Sequence, residues 1–354
     1  MAYSSIAKPT DHFNTVLYTG NSSTQAITGV GFQPDWVWIK DRSEVSFHEI
    51  FDAVRGVTKT MSSNSQNAES TESATLTAFG TDGFTLGSNG DVNYSGSNLV
   101  AWNWLGANGT ASNSNGSITS TVSVNSTAGF SIVSYTGTTG GASSTIGHGL
   151  GVTPDLVILK PRSYSGAWWW AQKGRSNKVL ELSGTNTEAD PSSSFGGGGL
   201  KYSTFTSTVF GGTDGTSNDD LWNTDGATYI AYCFAEKKGY SKFGSYTGNG
   251  NADGTFVHTG FKPAFIITKS ATSAEHWYMN DSKRSLNGAD KKLFPNLNSA
   301  ESSEVNSDLL SNGFKLRANN AIHNSSGQTY VFMAFAENPF VGNDSGTAVP
   351  VTAR

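Results

Sequence analysis

Ala227–Gly250 reads ATYIAYCFAEKKGYSKFGSYTGNG, and this phrase decides the fold. Tyr229–Ala235 is apolar almost throughout, aromatic-rich and too short for a buried helix, so it reads as a strand covered on both faces. Glu236–Gly239 interrupts the run. Phe243–Gly248 then begins a second short strand that ends in turn-forming glycine and asparagine. Both halves recur. The first returns as LVAWNW (Leu99–Trp104) and YVFMAFAE (Tyr330–Glu337), the second as VLYTG (Val16–Gly20) and IVSYTG (Ile132–Gly137). A third landmark lies between them: GFQPDWVWIKDRS from Gly31, GLGVTPDLVILKPRS from Gly149 and GFKPAFIITKSAT from Gly260. Three landmarks in one order, three times over, point to an internal triplication.

The fold class this predicts is all-β: three tandem antiparallel β-sandwich modules of lectin or jelly-roll type. The expected organisation is an N-terminal arm (1–12), module 1 (13–106), a Gly/Ser/Asn-rich exposed linker (107–128), module 2 (129–239), module 3 (240–339) and a polar C-terminal tail (340–354). Val16–Thr19 and Ala26–Thr28 read as a hairpin. Pro34, Pro154 and Pro263 stand where a strand opens, since a first residue needs no ladder N–H. In Asp35–Lys40, Trp36, Trp38 and Lys40 share one face and Val37 and Ile39 the other. Asp82-Gly83 and Asn312-Gly313 supply tight hairpin turns. Asn186–Gly215, with its run Gly196–Gly199, is a longer and less regular insertion. Helical signals are weak, and Val, Gly and Thr argue against a helix at Glu49–Lys59.

Composition narrows the function. With 23 Lys+Arg against 28 Asp+Glu the net charge is −5, and no basic stripe appears, so no nucleic-acid partner is expected. No apolar run is long enough to span a membrane, and Met1–Phe13 lacks a signal peptide's charged and apolar regions. The single cysteine, Cys233, lies in an apolar strand and reads as a small buried hydrophobe. Copying one unit multiplies weak contacts, which suits binding and structural proteins better than catalysts.

No catalytic set stands out. There is no G-x-S-x-G elbow and no phosphate-binding loop. Carboxylates that could serve a glycosidase are Asp41, Glu49 and Asp52, or Asp214, Asp219 and Asp220, but their polar, turn-like settings suit solvated loops. The six histidines have no zinc spacing; His148 and His258 hold similar places, where the first unit has Thr28. Asn249-x-Asn251-x-Asp253-Gly254 resembles half a calcium loop, but its twelfth position is Gly260. No metal and no cofactor is expected. The candidate ligand site is aromatic: Trp168, Trp169 and Trp170 run consecutively, so at least one ring is expected outside a one-sided core. Phe47-His48 and Trp277-Tyr278 lie in the corresponding parts of the other units. Aromatic faces of this kind stack on sugars or anchor interfaces. Lys40, Lys160 and Lys269 close the same strand in each unit, with Arg55, Arg175 and Arg284 following; a strand-end salt bridge is expected.

The phrases Ser5–Asn21, Ile27–Ser43, Gly129–Gly137, Gly147–Lys160 and Ala227–Gly250 resemble the tandem modules of virion structural and tail-fibre-like proteins of marine tailed phages, cyanophages among them. The resemblance covers nearly the whole chain. It implies a non-enzymatic virion protein, made in the host cytoplasm and oligomeric, that contacts other virion proteins and a host cell-surface glycan without inserting into the membrane. It supplies no catalytic residues. The favoured expectation is a tail-fibre or appendage component; the alternatives are a capsid-decorating protein, a reading that the lack of coiled-coil heptads raises, and a glycan depolymerase.

Overall fold

Alternation along Trp36–Asp41 sends Trp36 and Trp38 to one face and Val37 and Ile39 to the other, and both faces are buried. The same holds for Leu156–Pro161 and for the second half of Phe261–Ser270. A strand with two dry faces needs a layer on each side. Those layers define the architecture of the computed structural model, which describes residues 4, 6–138, 144–191, 199–213, 222–285, 287, 290–304 and 306–339.

The chain is all-β, built from antiparallel sheets in sandwich-like layers. Three larger sheets contain one strand order. In the first, the opening strand Phe13–Thr19 pairs with the closing strand Asn98–Trp104, which pairs with the middle strand Trp36–Asp41, which pairs with the flanking strand His48–Asp52. The second runs Phe130–Thr136, Thr228–Phe234, Leu156–Pro161, Trp169–Gln172. The third runs Ser241–Thr247, Thr329–Pro339, Phe261–Ser270, Tyr278–Asp281. A smaller three-stranded sheet accompanies each larger one and encloses an outer core with it.

The inner faces of the larger sheets do not form three separate cores. They meet in one. Trp36 stacks on Tyr232 at 4.4 Å between ring centroids, Phe13 on Phe335 at 5.1 Å, and Phe234 lies 5.7 Å from Phe243. Each contact joins two different sheets, so every sheet seals the other two.

Polar contacts repeat the arrangement around this core. Glu69 N donates to Arg162 O, Glu188 N to Ala271 O, and Glu301 N to Arg42 O, at 2.8–2.9 Å. These bonds tie first stretch to second, second to third and third to first. Arg162 and Arg42 each add a two-pronged bond to Glu69 and Glu301. Where the third stretch has Ala271 instead of arginine, Glu188 pairs with Arg175. The buried pair Asp52–Arg55 receives the Tyr232 hydroxyl at 2.8 Å, and the buried pair Asp281–Arg284 receives Trp102 Nε1 at 3.0 Å.

The recurring Tyr-Thr-Gly phrase now has a physical cause. Tyr18, Tyr135 and Tyr246 donate their hydroxyls to Val92 O, Trp222 O and His323 O. Gly20, Gly137 and Gly248 let the backbone of the segment before the closing strand come so close that a methyl group would strike Tyr94 O, Thr224 O or Ser325 O. Asn93, Asn223 and Asn324 staple the same junction by accepting from Asn21 N, Thr138 N and Asn249 N.

Several expectations change. Val16–Thr19 and Ala26–Thr28 are not a hairpin; the first lies in the larger sheet and Gln25–Thr28 pairs with Gly83–Leu86 in the smaller one. The connection crosses between layers. Within 107–128, Ala111–Asn113 and Ser120–Asn125 are strands that extend the second sheet beyond Phe130–Thr136, so the stretch is not a loose connector. Alternating Val122 and Val124 give it an apolar face despite the surrounding Ser and Asn. Pro34 and Pro154 precede their strands, but Pro263 lies inside Phe261–Ser270, at a register shift that absorbs its missing N–H. Two-residue hairpins occur at both Asp82-Gly83 and Asn312-Gly313, but their loops are Thr81-Asp82 and Ser311-Asn312; Gly83 and Gly313 open the following strands, and only Gly83 has a positive φ. Within Asn186–Gly215, Gly199–Leu200 and Val209–Thr213 are strands of the second smaller sheet, while 192–198 and 214–215 lie outside the described residues, as do the 340–354 tail and Asp214, Asp219 and Asp220.

Gly248→Ala should lower unfolding stability by about 1–3 kcal/mol through the forced clash. Gly109→Ala, where nothing lies within 4 Å, should stay within about 0.5 kcal/mol of the parent. Denaturant titration of both variants checks this; equal effects would contradict the close-approach account.

Candidate functional site

Trp168, Trp170 and Trp277 are buried in the common core, and Trp169 and Tyr278 in the outer cores of the second and third stretches. Consecutive tryptophans are accommodated because both faces of their strand are covered, which removes the premise that one ring must be exposed. Trp168 Nε1 donates to Ser62 O and Trp277 Nε1 to Glu181 O, each reaching a neighbouring stretch. His48, at the matching register position, is also fully buried, and its Nδ1 accepts from Trp38 Nε1 at 3.2 Å. Burial, then the Lys40 and Arg284 charges, hold its pKa well below the usual histidine range. The expected aromatic platform is therefore interior packing, except for Phe47, which is 41% exposed.

The three strand-end lysines are not salt-bridged. Each is buried with its ammonium against backbone carbonyls: Lys40 on Asp41 O and Glu44 O, Lys160 on Pro161 O, Gln66 O and Asn67 O, and Lys269 on Ser270 O and Ser273 O. Burial lowers their pKa values to about 8, about 7 and about 8. The arginines do pair with acids, as described above. Cys233 is fully buried, and burial pushes its thiol pKa up. His148 is buried; its Nδ1 accepts from Leu150 N and its Nε2 donates to Thr206 O. Asn249 and Asn251 accept from backbone N–H groups two residues on, as plain turns do. Asp41 likewise caps Ser43 N and Glu44 N, and Asp52 belongs to its arginine.

Phe47 and Glu49 remain, and they meet at one cavity of about 230 Å³ in the first stretch. Glu49 lies on the outer face of its strand, opposite Ile39. The corresponding places opposite Leu159 and Thr268 hold Trp169 and Tyr278. Those rings fill their outer cores; the smaller carboxylate leaves space. Glu49 is only 5% exposed and accepts from the Thr60 hydroxyl and from Ser62 Oγ at 2.9 Å. Burial raises its pKa, the two hydroxyls oppose that, and Asp91 adds to it. Asp91 also lines the cavity; it accepts from Ser46 Oγ at 2.8 Å and from Phe47 N, and so fixes the loop that carries the exposed ring. Glu72, Asn67 and Asn89 also line the space, and no lysine or arginine does. Among the described residues no three acid, histidine or cysteine groups converge to hold a metal ion.

A second and more open groove of about 420 Å³ is lined by hydroxyls and Arg162. Its one charged group is already held by Glu69 and Ser134.

The model of DUF7483, a domain of unknown function, matches residues 8–339. The chain belongs to the DUF7483 family. No curated protein and no solved structure matches it. Among the described residues of this DUF7483 chain, no helix is long and apolar enough to cross a membrane.

Two outcomes follow. Trp169→Ala should cost about 3–5 kcal/mol of stability, because it empties a packed outer core; an unchanged unfolding midpoint would contradict that burial. From about pH 7 to about pH 9 the folded lysines release protons that the unfolded chain keeps, so stability should rise with pH. Thermal melting across that window checks the sign, and Lys160→Met should flatten the slope.

Proposed function

We propose that this chain is a non-catalytic structural protein of a tailed-phage virion, an appendage component that attaches the particle to a host surface glycan. We read its three stretches as homologous modules from an internal triplication. The observation that carries the reading is the closed ring of backbone bonds Glu69–Arg162, Glu188–Ala271 and Glu301–Arg42, in which each stretch holds the next through corresponding residues. Repetition of one unit around a common core yields a stiff body rather than a reactive cleft. The side chains whose chemistry could be catalytic in other settings are engaged in holding it: Asp52, Asp281, Glu69 and Glu301 on arginines, and the three lysines on carbonyls.

Attachment in this reading draws on many weak contacts. Copies of the chain on a particle raise the effective concentration of each module at the surface. Partners within the particle are other virion proteins and further copies of the chain.

Cryo-electron microscopy of the particle tests the assignment. Density for this fold on a tail appendage, together with binding of the purified chain to host cells, is the expected result. Density on the head lattice would replace it with capsid decoration, and shortening of the surface polysaccharide by the purified chain would replace it with a depolymerase.

A further inference from the structure

We infer that the cavity behind Phe47 binds an amino sugar carrying a free, protonated amine. This deepens the attachment reading and rests on it for the source of the sugar, a cell-surface polysaccharide.

Register makes the first argument. Glu49, Trp169 and Tyr278 each follow the strand-closing lysine by the same interval (49 − 40, 169 − 160 and 278 − 269 all equal 9). Two of the three positions are filled by rings that seal an outer core. The third holds an acid, beside a cavity of about 230 Å³. A carboxylate placed under a sheet costs free energy unless a countercharge offsets it.

No lysine or arginine lines the cavity, and Arg55 favours the Glu49 carboxylate only through its field, without a hydrogen bond to it. Glu49 is nine-tenths buried, and its hydrogen-bond partners are the neutral hydroxyls of Thr60 and Ser62. The closest guanidinium, that of Arg55, is spent on Asp52, Ile50 O, Lys59 O and Glu69. The cavity's other ionisable lining groups, Glu72 and Asp91, are also acids. The lining thus holds three acids and no cation. The acids do not converge closely enough for a metal ion, so the cation that fits is an extended organic one.

The remaining lining selects among organic cations. Phe47 lines the cavity and is 41% exposed, and its backbone N–H is held by Asp91. An aromatic face suits both the C–H face of a sugar ring and an ammonium group. Asn67, Asn89 and Ser70 offer amide and hydroxyl partners for sugar hydroxyls. A buried acid, a partly exposed ring and two amides in one lining match a hydroxylated ring with an ammonium substituent. An N-acetyl group in its place would bring bulk and no charge.

Titration calorimetry of the full chain with short glucosamine oligosaccharides, their N-acetylated counterparts and glucose oligosaccharides tests this. The expected result is measurable binding of the first, at least about tenfold tighter than either of the others. Glu49→Gln keeps size and hydroxyl partners and should lose about tenfold or more. Phe47→Ala removes an exposed ring that supports no core and should weaken binding without moving the melting temperature. Asp253→Asn removes the same charge from a remote, 81% exposed side chain and should bind as the parent does, which excludes a mere net-charge effect. Equal affinity for free-amine and neutral sugars would overturn the amine assignment and leave glycan attachment standing. Unchanged binding in both cavity variants would overturn the site. Absence of binding to every sugar by a folded chain that still binds cells would overturn the cavity proposal while sparing the attachment reading.

Discussion

Aromatic contact between sheets is the constraint on which the rest of this structure depends. Trp36, Trp104, Phe130, Phe234, Phe265 and Phe335 come from three stretches of chain and lie in one buried cluster. Trp36 and Trp104 approach to 4.2 Å, and each also touches a ring from another sheet. Buried rings of this size dominate core energetics. Removing any sheet would open the inner faces of the other two to water. Short, Gly-, Ser- and Asn-rich strands are thereby held without disulfides, because the central strands of each larger sheet are buried on both faces.

Polar groups in the interior follow the same logic. Asp52 and Asp281 each have an arginine and a donor from a neighbouring sheet, Tyr232 or Trp102. At the matching place in the second flanking strand stands Gln172, which accepts from Trp170 Nε1 and donates to Gly244 O. The closing-strand position held by Trp102 and Tyr232 is Met333 in the third sheet, which has no N–H or O–H to offer. A neutral amide where the donor is missing and an acid where it is present is what the cost of an unpaired buried charge requires.

The strands, their all-β class and their alternation were legible in the sequence because period-two patterning and turn residues are local signals. So was the recurrence of Tyr-Thr-Gly, although its cause was not. The tyrosine's acceptor lies 74 residues away in the first stretch, and the carbonyl that excludes a side chain at Gly20 is equally remote. Trp168–Trp170 illustrate the limit most sharply. Alternation was correctly read, but whether the second face meets solvent or another layer is decided by tertiary stacking. The linker misled through composition: Ser and Asn masked Val122 and Val124, whose spacing marks a strand. Glu49 passed for a solvated loop acid. The available signal was its constant distance from Lys40, which aligns it with two buried rings.

The cavity at Glu49 and the rigid core are two sides of one arrangement, since the loop bearing Phe47 is fixed to Asp91 on a body that does not yield. What defines that body is that three stretches fold as one unit around shared rings rather than as three sandwiches in a row. Differential scanning calorimetry of the full chain measures this most directly. A single transition with equal calorimetric and van't Hoff enthalpies is the predicted result. Two or three resolved transitions, or a van't Hoff enthalpy well above or below the calorimetric one, would contradict it.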